Sequence, residues 1–171
     1  MEVALSRDVI QRAPKVLLHD HLDGGLRPTT VLELAHETHY SGLPTNDADD
    51  LRKWFIADTP GSDLVRYLEG FAHTTAVMQT KDHLERVAFE AALDLARDGV
   101  VYAEVRFAPE LHLENGLTLH EVVQAVLEGF ARGTHDAELE GHEIVVRAIL
   151  SAMRQANLSE TIAELAVEFR D

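Results

Sequence analysis

The stretch Lys15-Val16-Leu17-Leu18-His19-Asp20-His21-Leu22-Asp23-Gly24-Gly25 decides how the rest of the chain is read. Val16, Leu17 and Leu18 make a short apolar run bounded by polar and glycine residues, the pattern of a strand buried on both faces of a parallel sheet. Side chains alternate along a strand with a period of two, so His19 and His21 are expected on one side and Asp20 on the other. Two neutral imidazoles so placed can share a divalent cation. Zinc suits nitrogen ligands, and a catalytic zinc usually takes about three protein ligands plus an open position, so the pair would be part of a larger ligand set. On its own the pair fits ordinary polar strand residues as well. Gly24-Gly25 marks a tight turn, and Pro28 with Thr29 and Thr30 marks a helix start.

Outward from this stretch, helices and strands alternate. Val31, Leu32, Leu34 and Ala35 follow a helical period to about His39. Residues 41–46 form a loop, and Asn46 or Asp47 caps a short acidic helix through Leu51, Trp54 and Phe55 that residues 59–61 end. Ser62 or Asp63 starts the next helix, whose Leu64, Tyr67, Leu68 and Phe71 form one apolar stripe, read first as core packing. A long amphipathic helix runs from Thr80 or Asp82 to Arg97 and stops at Asp98-Gly99. Residues 100–109 then read as a β-branched and aromatic strand ended by Pro109. Glu104 and Arg106 share a face of it, where opposite charges inside a sheet are expected to pair or hydrogen-bond. Thr118 caps a helix to about Leu139, residues 144–153 make a third strand, and a last helix runs from Ser159 to about Phe169, ending at Arg170-Asp171. This order is the repeating unit of a parallel α/β sheet. No repeat, low-complexity tract or linker divides the chain, which reads as a single incomplete domain over residues 1–171.

Composition narrows the function. The chain has 171 residues, 46% of them hydrophobic and 26% charged, with no run approaching the roughly 20 apolar residues that span a bilayer. Its first residues lack the pattern of a secretory leader, so a cytoplasmic location is expected. There is no cysteine, which leaves ten histidines as the nitrogen ligands available and excludes disulfides and thiolate sites. A net charge of −15 repels a polyphosphate backbone and argues against nucleic acid, in agreement with a neutral small substrate. His36 and His39 stand three apart on a helix but no acid joins them; these and the scattered His73, His83, His112, His120, His135 and His142 read as solvated or structural.

The segment PKVLLHDHLDGGLRP, residues 14–28, closely resembles the opening strand of the adenosine deaminases, metal-dependent (β/α)8 barrels of the amidohydrolase superfamily. Residues 102–109 are similar to the family's second strand, and ILSAMR, residues 149–154, to its third. Ala108 departs from the pattern, standing where many members carry serine. LVRYLEGFAHTTAVM, residues 64–78, matches loosely the family helix that lies over the barrel mouth as an apolar lid.

The resemblance implies a fold, a reaction and a set of residues. The fold would be the first part of a (β/α)8 barrel, about three βα units with extra helices after strand one, since a whole barrel takes about 250 residues. The reaction would be zinc-dependent hydrolytic deamination of adenosine and 2′-deoxyadenosine in purine metabolism, with zinc lowering the pKa of a water that attacks C6. His19 and His21 would be zinc ligands, one zinc per complete site, with His21 also near the substrate. Asp23 would bind the ribose 5′-hydroxyl, and Leu64, Tyr67, Leu68 and Phe71 would form the lid. HLDG favours a nucleoside over the free base, because the adenine deaminases carry HLEG; AMP deaminases diverge further. The family's other zinc ligands and its proton-donating glutamate lie on later strands. The general acid is therefore expected beyond Asp171, and the chain alone is expected to be inactive. Open sheet edges would favour self-association or pairing with a complementary half. Two other readings stand beside this one: another purine deaminase or amidohydrolase, and a non-catalytic interaction module.

Overall fold

The computed structural model describes residues 5–56 and 64–170, without the side chains of residues 64–68. The helix end expected at residues 59–61, the helix start at Ser62 or Asp63, and Asp171 lie outside the described residues. Along the chain come α1 (Arg7–Arg12), β1 (Lys15–His21), a 3-10 turn (Leu22–Gly24), α2 (Pro28–Glu37), α3 (Ala48–Ile56), α4 (Leu64–Ala76) and α5 (Lys81–Arg97). They are followed by β2 (Val100–Phe107), a second 3-10 turn (Pro109–His112), α6 (Leu119–Leu139), β3 (Val145–Leu150) and α7 (Ser159–Glu168).

Helix starts follow local hydrogen-bonding chemistry. Pro28 opens α2, where its missing N–H would have had no partner anyway. Thr80 Oγ1 accepts from His83 N ahead of α5, and Asp47 Oδ1 accepts from Asp50 N ahead of α3. Thr118 and Glu121 form a reciprocal capping box at α6. Helix α1 is a difference from the sequence reading. It is six residues long, buries no side chain and rests on the Ser6 cap, so it has no apolar stripe to betray it. A second difference concerns Gly24-Gly25: Gly25 has φ −103°, and neither glycine adopts a positive φ, so the turn there uses no glycine-only conformation.

The strands form one parallel sheet in the order β1-β2-β3. Ala103, Val105 and Phe107 of β2 are buried, and the alternate residues Tyr102, Glu104 and Arg106 are half-buried. Val146 and Ala148 of β3 pair with Ala103 and Val105 and so lie on the same face. With Leu84, Val87, Ala88 and Ala92 of α5 and Val122, Val123, Val126 and Phe130 of α6, this face makes the core. Each of the fully buried Val, Leu and Phe side chains among them stabilises by about 1.5–3 kcal/mol. The other face is open: Val16 is 60% exposed and Leu18 59%. The sequence reading of a strand covered on both faces is therefore corrected: among the described residues Leu17 packs against the core while Val16 and Leu18 on the other face are exposed. No helix among the described residues is long and apolar enough to cross a membrane.

His112 shows how a structural histidine is held. Its ring is 1% exposed, with Nδ1 donating to the Met78 carbonyl at 2.9 Å, and burial pushes its pKa down to about 4. The folded value lies below the ordinary one of about 6.5, so the neutral ring favours folding above pH 6.5 and this contribution is lost as pH falls toward 4. Over that window the loss is about 3 kcal/mol. Urea midpoints at pH 7.5 and pH 4.5 should therefore converge in His112→Phe relative to the parent chain. An unchanged pH slope would contradict this role.

Candidate functional site

An irregularity in β1 sets the site. Leu17 pairs with Ala103 and Asp20 with Val105, three steps along β1 against two along β2, so one extra residue is accommodated between them. Without this bulge the phase set by Leu17 would turn His21 toward the helices. With it, His21 pairs with Arg106 and shares the open face of the sheet. The bulge is made at His19, whose φ of 62° lies in the left-handed region that histidine enters more readily than most side chains. Such a conformation costs a non-glycine residue roughly 1–2 kcal/mol, and the surrounding structure must offset it. The two imidazoles adjoin as the sequence predicted, but through this break in alternation rather than through alternation itself.

The ring centroids of His19 and His21 are 5.6 Å apart. A zinc about 2.1 Å from an imidazole nitrogen lies roughly 3.2 Å from the ring centroid, so two ligands at a tetrahedral angle have centroids roughly 5 Å apart. The observed centroid separation is close to that value. Among the described residues no further His, Cys, Asp or Glu completes a set of three.

Asp23 follows the strand in the 3-10 turn. Its side chain is 14% exposed, and Oδ1 is buried without a hydrogen-bond partner, 3.5 Å from His21 Nδ1. Burial raises its pKa above the ordinary carboxylate range, opposed in turn by His21, its own backbone and Arg106. A carboxylate beside Nδ1 favours the proton there and leaves Nε2 of His21 with a free lone pair. Oδ1 has His21 Nδ1 as its neighbour only at the 3.5 Å limit of a hydrogen bond, and as a carboxylate oxygen with two lone pairs it can accept from a further donor.

Of the predicted lid residues, Phe71 lies with its ring 5.9 Å from that of His21. Leu64, Tyr67 and Leu68 belong to α4 with it, and their side chains lie outside the described residues. Glu104 and Arg106 do hydrogen-bond as expected of charges on a strand face, though with neighbours: Glu104 accepts from Tyr102 Oη at 3.1 Å, while Arg106 donates to Ser151 Oγ at 3.1 Å and to His19 Nε2 at 2.9 Å. Tyr102 lies two residues from Glu104 on the same strand face, whereas the Arg106 partners His19 and Ser151 come from β1 and from the segment after β3, which sequence spacing alone does not give. Two further residues at this end of the sheet escaped the sequence reading. Glu110 accepts from the Met153 backbone, tying the segment after β2 to the one after β3, and Gln79 Nε2 donates to the Leu111 carbonyl at 2.9 Å. His36 and His39 are exposed, and His83 is buried between the Val77 carbonyl and Glu37.

Comparison with known proteins identifies relatives of the whole chain. The Adenosine deaminase family model matches residues 14–171. Adenosine deaminase 1 of Streptomyces coelicolor is 63% identical over 166 residues, covering 97% of this chain and 42% of its own length. The adenosine deaminase of Mycolicibacterium vanbaalenii is 58% identical over 171 residues, covering 100% and 47%. Among solved structures, the Arabidopsis N6-mAMP deaminase superposes with a TM-score of 0.77 at 28% identity over 96% of this chain and 49% of its own. A zinc-bound amidohydrolase from Burkhoderia ambifaria shares the fold with a TM-score of 0.75 at 22% identity, covering 99% and 45%. The chain thus spans about half the length of these relatives, and its parallel βα units correspond to that share of their barrels. Match over most of its length by both sequence and structure places the chain in the adenosine deaminase family.

Proposed function

We propose that this chain supplies the amino-terminal part of the active site of a zinc-dependent adenosine deaminase, converting adenosine and 2′-deoxyadenosine to inosine and its 2′-deoxy form. The observation that carries this reading is the adjacent His19 and His21 imidazoles beside a buried, unsatisfied Asp23 at the carboxyl end of β1, the end where (β/α)8 barrels hold their chemistry. His19 and His21 hold the metal. When bound, zinc supplies Lewis acidity that makes a water nucleophilic near neutral pH. Asp23 orients His21 and accepts from the ribose 5′-hydroxyl through its remaining acceptor capacity. Phe71, with Leu64, Tyr67 and Leu68 on the same helix, covers the purine and excludes water.

No residue from Met1 to Asp171 is assigned as the general acid, which belongs to the later strands of the barrel, and two imidazoles alone hold zinc weakly. The 171 residues therefore form one domain that is incomplete by itself, whose open β1 and β3 edges pair with a complementary half or with one another. Absorbance assays with zinc should show no turnover of adenosine by the chain alone. Fused ahead of the carboxy-terminal half of the Streptomyces coelicolor relative, it should deaminate adenosine and 2′-deoxyadenosine in preference to adenine and AMP. Preference of that fusion for AMP or adenine would overturn the nucleoside reading, and turnover by the chain alone would overturn its incompleteness.

A further inference from the structure

Phe71 covers a substrate only where α4 holds its ring beside His21. Each residue of an α-helix turns about 100° from the last, so Phe71 and His73 project on opposite faces of α4, while Gly70 and His73 share a face. The inner face carries Phe71, whose ring lies against His21 and Gly24, and the buried Thr74. The outer face rests on α3. A Cβ on Gly70 would stand 3.5 Å from Phe55 Cδ1, and the His73 ring lies edge-on to Trp54 with centroids 5.3 Å apart. His73 Nδ1 also lies 2.7 Å from Tyr40 Oη, a hydrogen bond between α4 and the segment after α2. Tyr40 is aimed there by the way α2 ends. His39 has φ 55°, its N–H donates to the His36 carbonyl at 3.3 Å, and the Tyr40 N–H donates to the Ala35 carbonyl at 2.8 Å, the bond pair of a Schellman ending. That reversal packs the Tyr40 ring against the core and brings its hydroxyl to His73. Gly42 leaves the room required, since a Cβ there would collide with Tyr40 Oη.

We propose that Tyr40 and His73 are positioning residues for substrate binding: their hydrogen bond pins the outer face of α4 and thereby sets the Phe71 ring on its inner face over the site. This rests on the reading of Phe71 as part of the apolar cover of the purine. Such a cover is made in ground and transition states alike, so a displaced α4 weakens binding of the nucleoside rather than its chemistry.

The test is steady-state kinetics with adenosine on the fusion with the carboxy-terminal half of the Streptomyces coelicolor relative. The forms compared are the parent, Tyr40→Phe, Gly42→Ala, Phe71→Ala and the Tyr40→Phe/Phe71→Ala double variant, each with its zinc content measured. Tyr40→Phe removes one oxygen and keeps the ring. It should raise KM roughly fivefold, equivalent to about 1 kcal/mol, with kcat within about twofold and zinc content unchanged. Gly42→Ala keeps both partners but displaces the hydroxyl; it should have the same effect, and serves if Tyr40→Phe does not fold. In the Phe71→Ala background Tyr40→Phe should add nothing, because the ring it positions is gone. A KM raised by Phe71→Ala but by neither Tyr40→Phe nor Gly42→Ala would overturn the role of the Tyr40–His73 pair alone, and so would an equal effect of Tyr40→Phe with and without Phe71. An unchanged KM in Phe71→Ala would overturn the reading of Phe71 as a cover and this inference with it.

Discussion

Replacing His21 with alanine in the fusion with the carboxy-terminal half of the Streptomyces coelicolor relative is expected to lower kcat/KM for adenosine by roughly a thousandfold or more. A catalytic metal supplies several kcal/mol of transition-state stabilisation, and each 1.36 kcal/mol is about tenfold in rate. His21 is exposed to a larger loss than Phe71 because it is the proposed metal ligand, lies against Phe71 and faces Asp23 at 3.5 Å, so its removal affects three proposed or observed contacts together. Asp23→Ala should act more on KM than on kcat, since the proposed contact to the 5′-hydroxyl is made in ground and transition states alike. Steady-state kinetics on both variants separates these roles. A His21→Ala enzyme within tenfold of the parent would remove His21 from the metal site.

The second large effect is structural. Gly129 and Gly133 of α6 lie against α5 so closely that a Cβ on Gly129 would collide with the Glu85 carbonyl oxygen and stand 2.7 Å from Ala88 Cβ. A Cβ on Gly133 would collide with the Phe89 carbonyl oxygen and stand 2.9 Å from Ala92 Cβ. The obstacles are backbone atoms and short side chains, so relief requires moving one helix from the other. Gly129→Leu is therefore expected to cost more than about 3 kcal/mol, at or beyond the upper range for overpacking, despite a gain of roughly 0.8 kcal/mol in helix propensity. Ala131→Leu, on the exposed side of the same helix, should stay within about 0.5 kcal/mol of the parent. Urea denaturation measures both. Similar midpoints for the two variants would contradict the close packing of α5 on α6.

Several elements were legible in the sequence because their signals are local. The Thr118 cap, the start at Thr80 or Asp82 and Pro28 mark helix starts within a residue or two of the observed ones. Gly99, read as a helix end, does adopt positive φ there, at 84°, and Gly141 just after α6 does the same at 88°. What the sequence concealed depends on neighbours distant along the chain. Strict alternation puts His19 and His21 on one side, and so does the structure, but only because a bulge at His19 resets the phase relative to Leu17. Nothing in the run from Lys15 to His21 announces that bulge, because it is defined by pairing with β2, roughly 85 residues later. The partners of Arg106 were hidden for the same reason, since His19 and Ser151 reach it across the sheet. His83 and His112 look no different in sequence from exposed His36, and only packing shows that they are buried.

The most direct measurement is the zinc content of the purified fusion, with intact protein mass verified, in the parent form and in the His19→Ala/His21→Ala double variant. One zinc per chain in the parent and loss of that zinc in the double variant is the expected result. Full retention of zinc without either imidazole would contradict the assignment of β1 as the strand that holds the metal.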